Sequence, residues 1–212
     1  MDKVITVSRE FGSGDRAGDS PNEENRPDKG NQWNKTNIDN TNIRTIISQM
    51  SLEQKAAQLF IITPEALTGF QTVTQAGDAT YKALQEYPVA GLIYFPQNLQ
   101  NPKQLKTMTA RTQELAAGLN QLPLFLSIDE EGGKVARIAN HEGFDLPKVD
   151  TMAEIGKSRD ISRAYEAGSV IGEYLEELGI NLDLAPDADV LTNPANTVVL
   201  DRSFGSDPVL VT

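Results

Sequence analysis

The segment Pro123-Leu-Phe-Leu-Ser-Ile-Asp129, continued by Glu130-Glu-Gly-Gly-Lys-Val-Ala-Arg137, decides the fold because an apolar run passes directly into a polar loop. Residues 123–129 have the length and apolar content of a buried β-strand. The carboxylates and glycines of residues 129–137 predict a loop whose backbone can come close to a polar ligand. They are equally typical of a plain acidic turn in which Asp129 caps the next element. The segment therefore predicts a strand that ends in a candidate binding loop.

Three further segments have the character of buried strands. They are LFIIT at residues 59–63, GLIYF at residues 91–95 and INLDLAP at residues 180–186. These runs are too apolar for a sheet that faces water on one side, which is typical of parallel strands covered on both faces. The chain is therefore expected to contain four parallel strands.

Two helices are predicted between these strands. The first begins with Asn101 as its cap and Pro102 in its first position, and it ends near Gly118. The second runs from about Arg159 to Leu178. The apolar positions expected to face the core are Leu105, Met108 and Leu115 in the first helix, and Ile161, Ala164, Gly168, Ile171, Leu175 and Leu178 in the second. Alternating strands and helices predict an α/β fold of about four βα units.

The start of the chain has a different character. Residues 15–42 are dominated by polar residues, glycine and proline, so they predict a disordered linker that cannot bury enough surface to fold. The Ser51-Leu-Glu-Gln54 capping box begins a helix after it. Residues 1–14 form a short extension in which VITVSREFGSG resembles the opening strand and glycine loop of cytidylate kinase-like proteins. Asp15 stands where that loop needs another glycine, so no phosphate site is predicted.

Composition limits the classes of partner. The formal net charge of −11 argues against nucleic acid and against an anionic membrane surface. The absence of cysteine and the single histidine, His141, argue against a disulfide framework and against a thiolate or imidazole metal centre. The sequence shows no apolar run long enough to span a bilayer and no secretion signal, so as written it predicts a cytoplasmic protein.

Two further candidate sites follow the fourth strand. Asp187 and Asp189 could orient substrate hydroxyl groups, although aspartate beside proline is also typical of a turn. Arg202 carries a planar fork suited to a carboxylate or to several sugar oxygens, although a solvated surface arginine is the simpler interpretation. His141 lies in a polar stretch and is not assigned a role.

The order of these segments is more specific than any one of them. It runs MSLEQKAAQLF, GLIYFPQN, PLFLSIDEEGGKVARI, LGINLDLAPDADV and NPANTVVLDRSFG. Over about residues 50–212 it resembles the N-terminal domain of glycoside hydrolase family 3. The loop matches the family's Asp-Gln-Glu-Gly-Gly-Arg-Val signature, with Glu130 and Lys134 as conservative departures. Its Asp-x-Glu-Gly-Gly form resembles the β-N-acetylhexosaminidase branch of the family.

The resemblance implies a fold and an activity. Residues 43–212 would form the N-terminal part of a TIM (β/α)₈ barrel, and the protein would be an O-glycosyl hydrolase that removes terminal N-acetylglucosamine in carbohydrate metabolism. It would need no cofactor and no metal. Two alternatives stay open, namely a non-catalytic carbohydrate-binding remnant and a β-glucosidase-type member of the same family.

The resemblance also assigns roles to individual residues. It implies that Asp129, Arg137 and Arg202 bind the sugar and that Asp189 shapes the pocket. The family's nucleophile and its acid/base pair are expected beyond Thr212, so no catalytic residue is assigned and the 212-residue chain is expected to be inactive.

Further expectations concern partners and location. The expected partner is an N-acetylglucosamine-containing glycoside. Self-association is expected as well, because four barrel strands alone leave inward-facing apolar surface uncovered. A full-length relative would be secreted or lipid-anchored, in contrast to the location that the sequence itself predicts.

Overall fold

The computed structural model describes residues 40–212. The predicted extension at residues 1–14 lies outside the described residues, and so does the predicted linker as far as residue 39. Among the described residues, those up to Met50 and those from Ser51 onward belong to two compact units. The first contains helix α1 (Asn40–Gln49), which takes up the last three residues of the predicted linker and which the sequence pattern did not indicate.

The second unit alternates strands and helices. In chain order, its elements up to the third strand are α2 (Leu52–Ala57), β1 (Ile61–Ile62), α3 (Pro64–Thr68), α4 (Asp78–Glu86), β2 (Gly91–Ile93), α5 (Pro102–Gly118) and β3 (Phe125–Ile128). The elements that follow are β4 (Glu130–Gly132), β5 (Val135–Ala136), α6 (Met152–Ser158), α7 (Ile161–Glu177), β6 (Leu182–Asp183) and α8 (Pro208–Val211). Short 3₁₀ turns lie at Pro96–Asn98 and Leu200–Arg202.

The four predicted strands form one parallel sheet in the order β1-β2-β3-β6. Ile61, Gly91 and Phe125 lie side by side in the register, and Ile128 pairs with Asp183 at the other end of the sheet. Because all four strands run in the same direction, their carboxyl ends meet along one edge. The predicted α/β fold is therefore confirmed.

Local signals explain where the helices begin. The Ser51 hydroxyl accepts the Gln54 N–H while the Gln54 amide accepts the Ser51 N–H, which is the predicted capping box. Asn101 caps α5 through the Gln104 N–H, and Pro102 occupies the first position. The predicted stripe of α5, formed by Leu105, Met108 and Leu115, is buried in the core. The sequence therefore places α5 correctly at both ends.

The predicted second helix is α7, which begins at Ile161 with Asp160 as its cap and ends at Glu177, close to the predicted bounds. A separate short helix, α6, precedes it. The predicted buried face of α7 needs correction at its first residue. Ile161 is 87% exposed, so it is not part of the buried face. The buried side chains of α7 are those of Ala167, Ile171, Tyr174 and Leu175. Ala167 packs against Met152 and Ile155 of α6, and Ile171, Tyr174 and Leu175 join the main core, so the apolar face begins only after the first turn of the helix.

The two faces of the sheet differ in burial. Leu92, Leu126 and Ile128 are inaccessible under the helices. On the other face, Ile61 is 36% and Phe125 43% exposed. This accessible apolar surface motivates the expected self-association, which stays a prediction. Across residues 40–212, every helix is too short or too polar to cross a bilayer.

Candidate functional site

The polar groups singled out in the sequence gather at the carboxyl edge of the sheet. Asp129 directly follows β3, and Asp183 is the last residue of β6. The Glu130 N–H donates a hydrogen bond to Asp183 Oδ1 at 3.0 Å, which ties the two strand ends together. The predicted polar loop folds as the two-stranded β4–β5 hairpin rather than as an irregular turn. The hairpin therefore lies against the strand ends from which the site is built.

Glu130 anchors this hairpin from the inside. Its side chain is inaccessible to solvent. Glu130 Oε2 accepts the Ile138 N–H at 2.8 Å, while Oε1 accepts the Ala139 N–H at 2.9 Å and the Tyr174 hydroxyl at 2.8 Å. Burial raises the pKa of Glu130, and these hydrogen bonds oppose that shift. Burial and the adjacent Glu130 together raise the pKa of Tyr174. Glu130 is thus a structural carboxylate that connects the hairpin to α7.

The glycine pair has a structural role. Gly132 and Gly133 have φ angles of +90° and +54°, a region that side chains with a Cβ rarely adopt. A Cβ added to Gly132 would lie 2.5 Å from Val149 Cγ2, and one added to Gly133 would lie 2.7 Å from Thr151 Cγ2. Both glycines are therefore required by the turn and by the close packing of residues 149–151. The predicted approach of this backbone to a ligand stays a prediction.

Asp129 and Arg137 form the first charged pair of the site. Arg137 Nη2 lies 3.3 Å from Asp129 Oδ2, and both side chains are partly exposed. Arg137 Nε is buried and has no hydrogen-bond partner among the described residues. One long contact leaves much of the hydrogen-bonding capacity of both groups unused. Asp129 and Arg137 can therefore serve a ligand as acceptor and donor.

Arg202 and Glu131 form the second pair, and it is much tighter. Arg202 Nε and Nη2 donate to the two oxygens of Glu131 at 2.7 and 2.8 Å. Asp187 Oδ2 lies 3.5 Å from Arg202 Nη2. The hydrogen bonds to Glu131 raise the pKa of Arg202 further. This two-point pair connects the Leu200–Arg202 turn to the hairpin across 71 residues of sequence.

Asp183 is the titratable group at the centre of the site. Its side chain is buried, and burial together with the charges of Glu130, Asp129 and Glu131 raises its pKa to about 7. The hydrogen bond from the Glu130 N–H opposes this shift. Asp183 therefore changes its charge near neutral pH, at a place where three other carboxylates already lie.

The remaining candidates lie at the periphery. Asp189 is exposed; its N–H donates to Asp187 Oδ1 at 2.9 Å, and the residue lines a pocket together with Leu191 and Asn196. His141 Nδ1 accepts the Gly143 N–H at 3.0 Å, which gives this histidine a local structural role. Across residues 40–212, no group of three or more histidine, aspartate or glutamate side chains is arranged to hold a metal ion.

Sequence reasoning identified Asp129, Arg137 and Arg202 but missed two residues of the same cluster. Glu131 and Asp183 were not assigned, although both contact groups of the site. The signal for Glu131 was its place in the loop beside Asp129. The signal for Asp183 was a carboxylate inside an otherwise apolar strand, which is unusual in a buried parallel sheet.

Comparison with known proteins shows the family. The model of the glycosyl hydrolase family 3 N-terminal domain matches residues 51–212. Beta-hexosaminidase A of Pseudoalteromonas piscicida is 40% identical over 61% of this chain and 22% of its own length. Beta-hexosaminidase LpqI of Mycobacterium tuberculosis is 32% identical over 77% of this chain and 37% of its own length. The chain thus spans well under half the length of both relatives.

The fold comparison agrees. A glycoside hydrolase family 3 β-N-acetylglucosaminidase from a Paenibacillus species superposes with a TM-score of 0.68 and 37% identity, over 76% of this chain and 29% of that structure. The solved structure of LpqI gives a TM-score of 0.58 at 30% identity, over 78% of this chain and 43% of that structure. The four βα units are therefore part of a TIM barrel, as predicted.

These comparisons also bear on the start of the chain. The family match begins at residue 51. The resemblance of residues 1–14 to a cytidylate kinase is not borne out. Because the family model covers residues 51–212, more than half of the sequence, the chain belongs to glycosyl hydrolase family 3.

Proposed function

We propose that the protein is an O-glycosyl hydrolase of the β-N-acetylhexosaminidase type that acts on terminal N-acetylglucosamine, and that residues 51–212 supply sugar-binding groups. One observation carries this proposal. Two carboxylate–guanidinium pairs, Asp129–Arg137 and Glu131–Arg202, converge at the carboxyl edge of a parallel sheet, where barrel enzymes bind their substrates. The names of the relatives support it, since two are beta-hexosaminidases and one is a β-N-acetylglucosaminidase.

Asp129 and Arg137 are proposed to make the main contacts to the sugar. The Asp129 carboxylate accepts hydrogen bonds from ring hydroxyl groups, and the Arg137 guanidinium donates to ring or substituent oxygens. Their mutual contact of 3.3 Å is long enough that a ligand can compete for both groups. Arg202 contributes its Nη1 group, and Asp189 shapes the adjacent pocket wall.

None of these residues is proposed to attack the sugar. Retaining hydrolysis needs a carboxylate that is free to attack the anomeric carbon and a second group that transfers the proton. Asp129 and Glu131 are each paired with an arginine, and Glu130 is enclosed by two backbone N–H groups and the Tyr174 hydroxyl. We therefore assign Asp129 to binding, and Glu130 and Glu131 to support of the site.

Calorimetric titration of the purified chain tests the binding part of the proposal. N-acetylglucosamine is expected to bind at least about tenfold more tightly than glucose. The substitutions Asp129→Asn and Arg137→Gln are each expected to weaken the binding of N-acetylglucosamine by about tenfold or more, equivalent to at least about 1.4 kcal/mol. Asp145→Asn, at an exposed aspartate outside the cluster, is the matched control and should have no effect. Absence of sugar binding would contradict the proposal. Equal affinity for glucose would favour the β-glucosidase-type alternative.

A chromogenic N-acetyl-β-glucosaminide tests the assignment of roles. The chain is expected to bind this compound without appreciable turnover, because the carboxylates of the cluster are engaged in ion pairs and buried hydrogen bonds. Turnover above the buffer rate that Asp129→Asn abolishes even at saturating substrate would mean that Asp129 takes part in the chemistry, whereas a loss that more substrate restores would reflect weaker binding alone.

A further inference from the structure

Every nitrogen of the Arg202 guanidinium has a partner. Nε and Nη2 donate to Glu131 at 2.7 and 2.8 Å. Nη2 also lies 3.5 Å from Asp187 Oδ2, and Nη1 donates to the Val198 carbonyl oxygen at 3.5 Å. Glu131 therefore fills the Nε–Nη2 edge, one of the edges of the guanidinium that could take an anion at two points. At the Nη1–Nη2 edge, Asp187 and the Val198 carbonyl oxygen make long contacts, so the loosely held Nη1 group is the one available to a ligand.

Glu131 is held in this position from several sides. Its side chain is only 6% exposed, whereas that of Arg202 is 31% exposed. The residue lies on β4, next to Glu130, whose three buried hydrogen bonds fix the hairpin. Removing a buried carboxylate from its arginine would leave an unpaired charge, which is costly at a site shielded from water. A ligand therefore meets Arg202 with Glu131 already in place.

The charges around Arg202 make this arrangement selective. An anionic ligand would have to displace Glu131 from the Nε and Nη2 groups of Arg202. It would also meet the negative charges of Asp187, whose Oδ2 lies 3.5 Å from Nη2, and of Asp129, both of which help to raise the pKa of Arg202. A neutral sugar oxygen needs only one N–H group and meets no repulsion. From the sequence alone, Arg202 could bind an anion. With Glu131 in place, Arg202 instead donates a hydrogen bond to an uncharged oxygen.

We propose that Glu131 is a specificity-determining residue of the sugar site. By occupying the Nε and Nη2 groups of Arg202, Glu131 restricts the site to neutral sugars and excludes sugars that carry phosphate or carboxylate groups. This inference rests on the proposed function, because it concerns the ligand of the same site. It requires no contact between Glu131 and the sugar.

Calorimetric titration of the wild-type chain at fixed ionic strength is the first test. The three ligands are N-acetylglucosamine, N-acetylglucosamine 6-phosphate and inorganic phosphate. The two sugars have the same ring and differ in charge, and inorganic phosphate tests anion binding independently of how a sugar ring is oriented. The neutral sugar is expected to bind at least about tenfold more tightly than its phosphate, with no detectable binding of inorganic phosphate. Comparable affinities for the two sugars would overturn the proposal without the use of any variant.

Glu131→Gln provides the second test, because glutamine keeps the size of the side chain and removes its charge. The ratio of the two sugar affinities is expected to shift by about tenfold or more toward the phosphate, and inorganic phosphate is expected to bind. The double variant Glu131→Gln/Arg202→Gln should lose this gain. A purely structural role of Glu131 would lower both affinities together and leave their ratio unchanged, which would overturn the proposal.

Two controls complete the design. Asp150→Asn frees the exposed Arg163 from its partner at 2.5 Å, and it should create no phosphate binding, since an open surface arginine is not a site. Glu131→Asp retains the charge and should retain the exclusion of phosphate, even if Glu131→Gln does not fold. Failure of the wild-type chain to bind either sugar would instead refute the proposed function, and this inference with it. Sugar binding with unaltered selectivity in folded Glu131→Gln would refute this inference alone.

Discussion

Replacing Asp183 with asparagine is expected to stabilise the chain above neutral pH, because this carboxyl group ionises in a buried and negatively charged place. Its pKa rises from 3.8 to about 7, through burial and then through the charges of Glu130, Asp129 and Glu131. Each pKa unit corresponds to about 1.4 kcal/mol, so the free energy of unfolding carries a pH-dependent contribution of roughly 4 kcal/mol. Asparagine can still accept the Glu130 N–H through its carbonyl oxygen.

The direction of this pH dependence is set by the protons that the folded and unfolded chains bind. Below about pH 4 Asp183 is protonated in both states, and its stabilising contribution is complete. As the pH rises toward 7, the unfolded chain releases this proton while the folded chain keeps it, so the free energy of unfolding falls. Above the folded pKa both states are ionised and the contribution has been lost. Glu130, whose pKa is also raised, contributes in the same direction in both proteins and largely cancels in their difference.

Urea unfolding followed by circular dichroism, at several values between about pH 4 and pH 8.5, measures this effect. The stability of Asp183→Asn relative to wild type should increase with pH by roughly 3–4 kcal/mol, with most of the increase complete near pH 8. Asp145→Asn, at an exposed aspartate, should give a profile parallel to that of wild type. If the difference in the free energy of unfolding between Asp183→Asn and wild type does not change with pH, Asp183 does not lie in a buried acidic environment.

Three further substitutions test the packing around the site. Gly91→Ala places a Cβ 2.2 Å from the Phe125 carbonyl oxygen and should prevent pairing of β2 with β3, seen as loss of soluble protein, whereas Gly118→Ala meets nothing within 4 Å and should fold normally. Leu126→Ala leaves a cavity at a fully buried position and should lower the free energy of unfolding by about 2–5 kcal/mol in urea titrations. A loss below about 1 kcal/mol would contradict the place of Leu126 in the core. Glu130→Ala leaves two N–H groups and a hydroxyl group without their acceptor, so it should lower the free energy of unfolding by about 3 kcal/mol or more in the same titrations. An unchanged free energy of unfolding would contradict the anchoring role of Glu130.

Short-range signals predicted the framework well. Helix α5 was placed correctly because Asn101, Pro102 and a regular apolar stripe act within a few residues of one another. The strands were recognised because each is a compact apolar run. Ile161 was misplaced because the helical period alone does not show that the first turn of α7 lies beyond the residues that pack over the rest of the helix.

The site was predicted only in part because its contacts are long-range. Asp129 and Arg137 are eight residues apart, and the family's motif contains Asp129 and ends two residues before Arg137. Tyr174 reaches Glu130 across 44 residues and Asp183 reaches it across 53, and nothing in the local sequence announces these partners. Arg202 was identified, but its closed fork became visible only when the fold brought Glu131 to it. Composition likewise gave no sign that Glu130, an added charge in the loop, would be buried.

The position of bound sugar tests the central claim most directly. Titration of the isotopically labelled chain with N-acetylglucosamine, followed by backbone amide chemical shifts, locates the ligand without any substitution. The largest shifts are predicted at the carboxyl edge of the sheet, at Asp129, Arg137 and Arg202 and in the β4–β5 hairpin. Shifts confined to other surfaces, such as α2 or the exposed side of α7, would contradict the assignment of the sugar site to this edge.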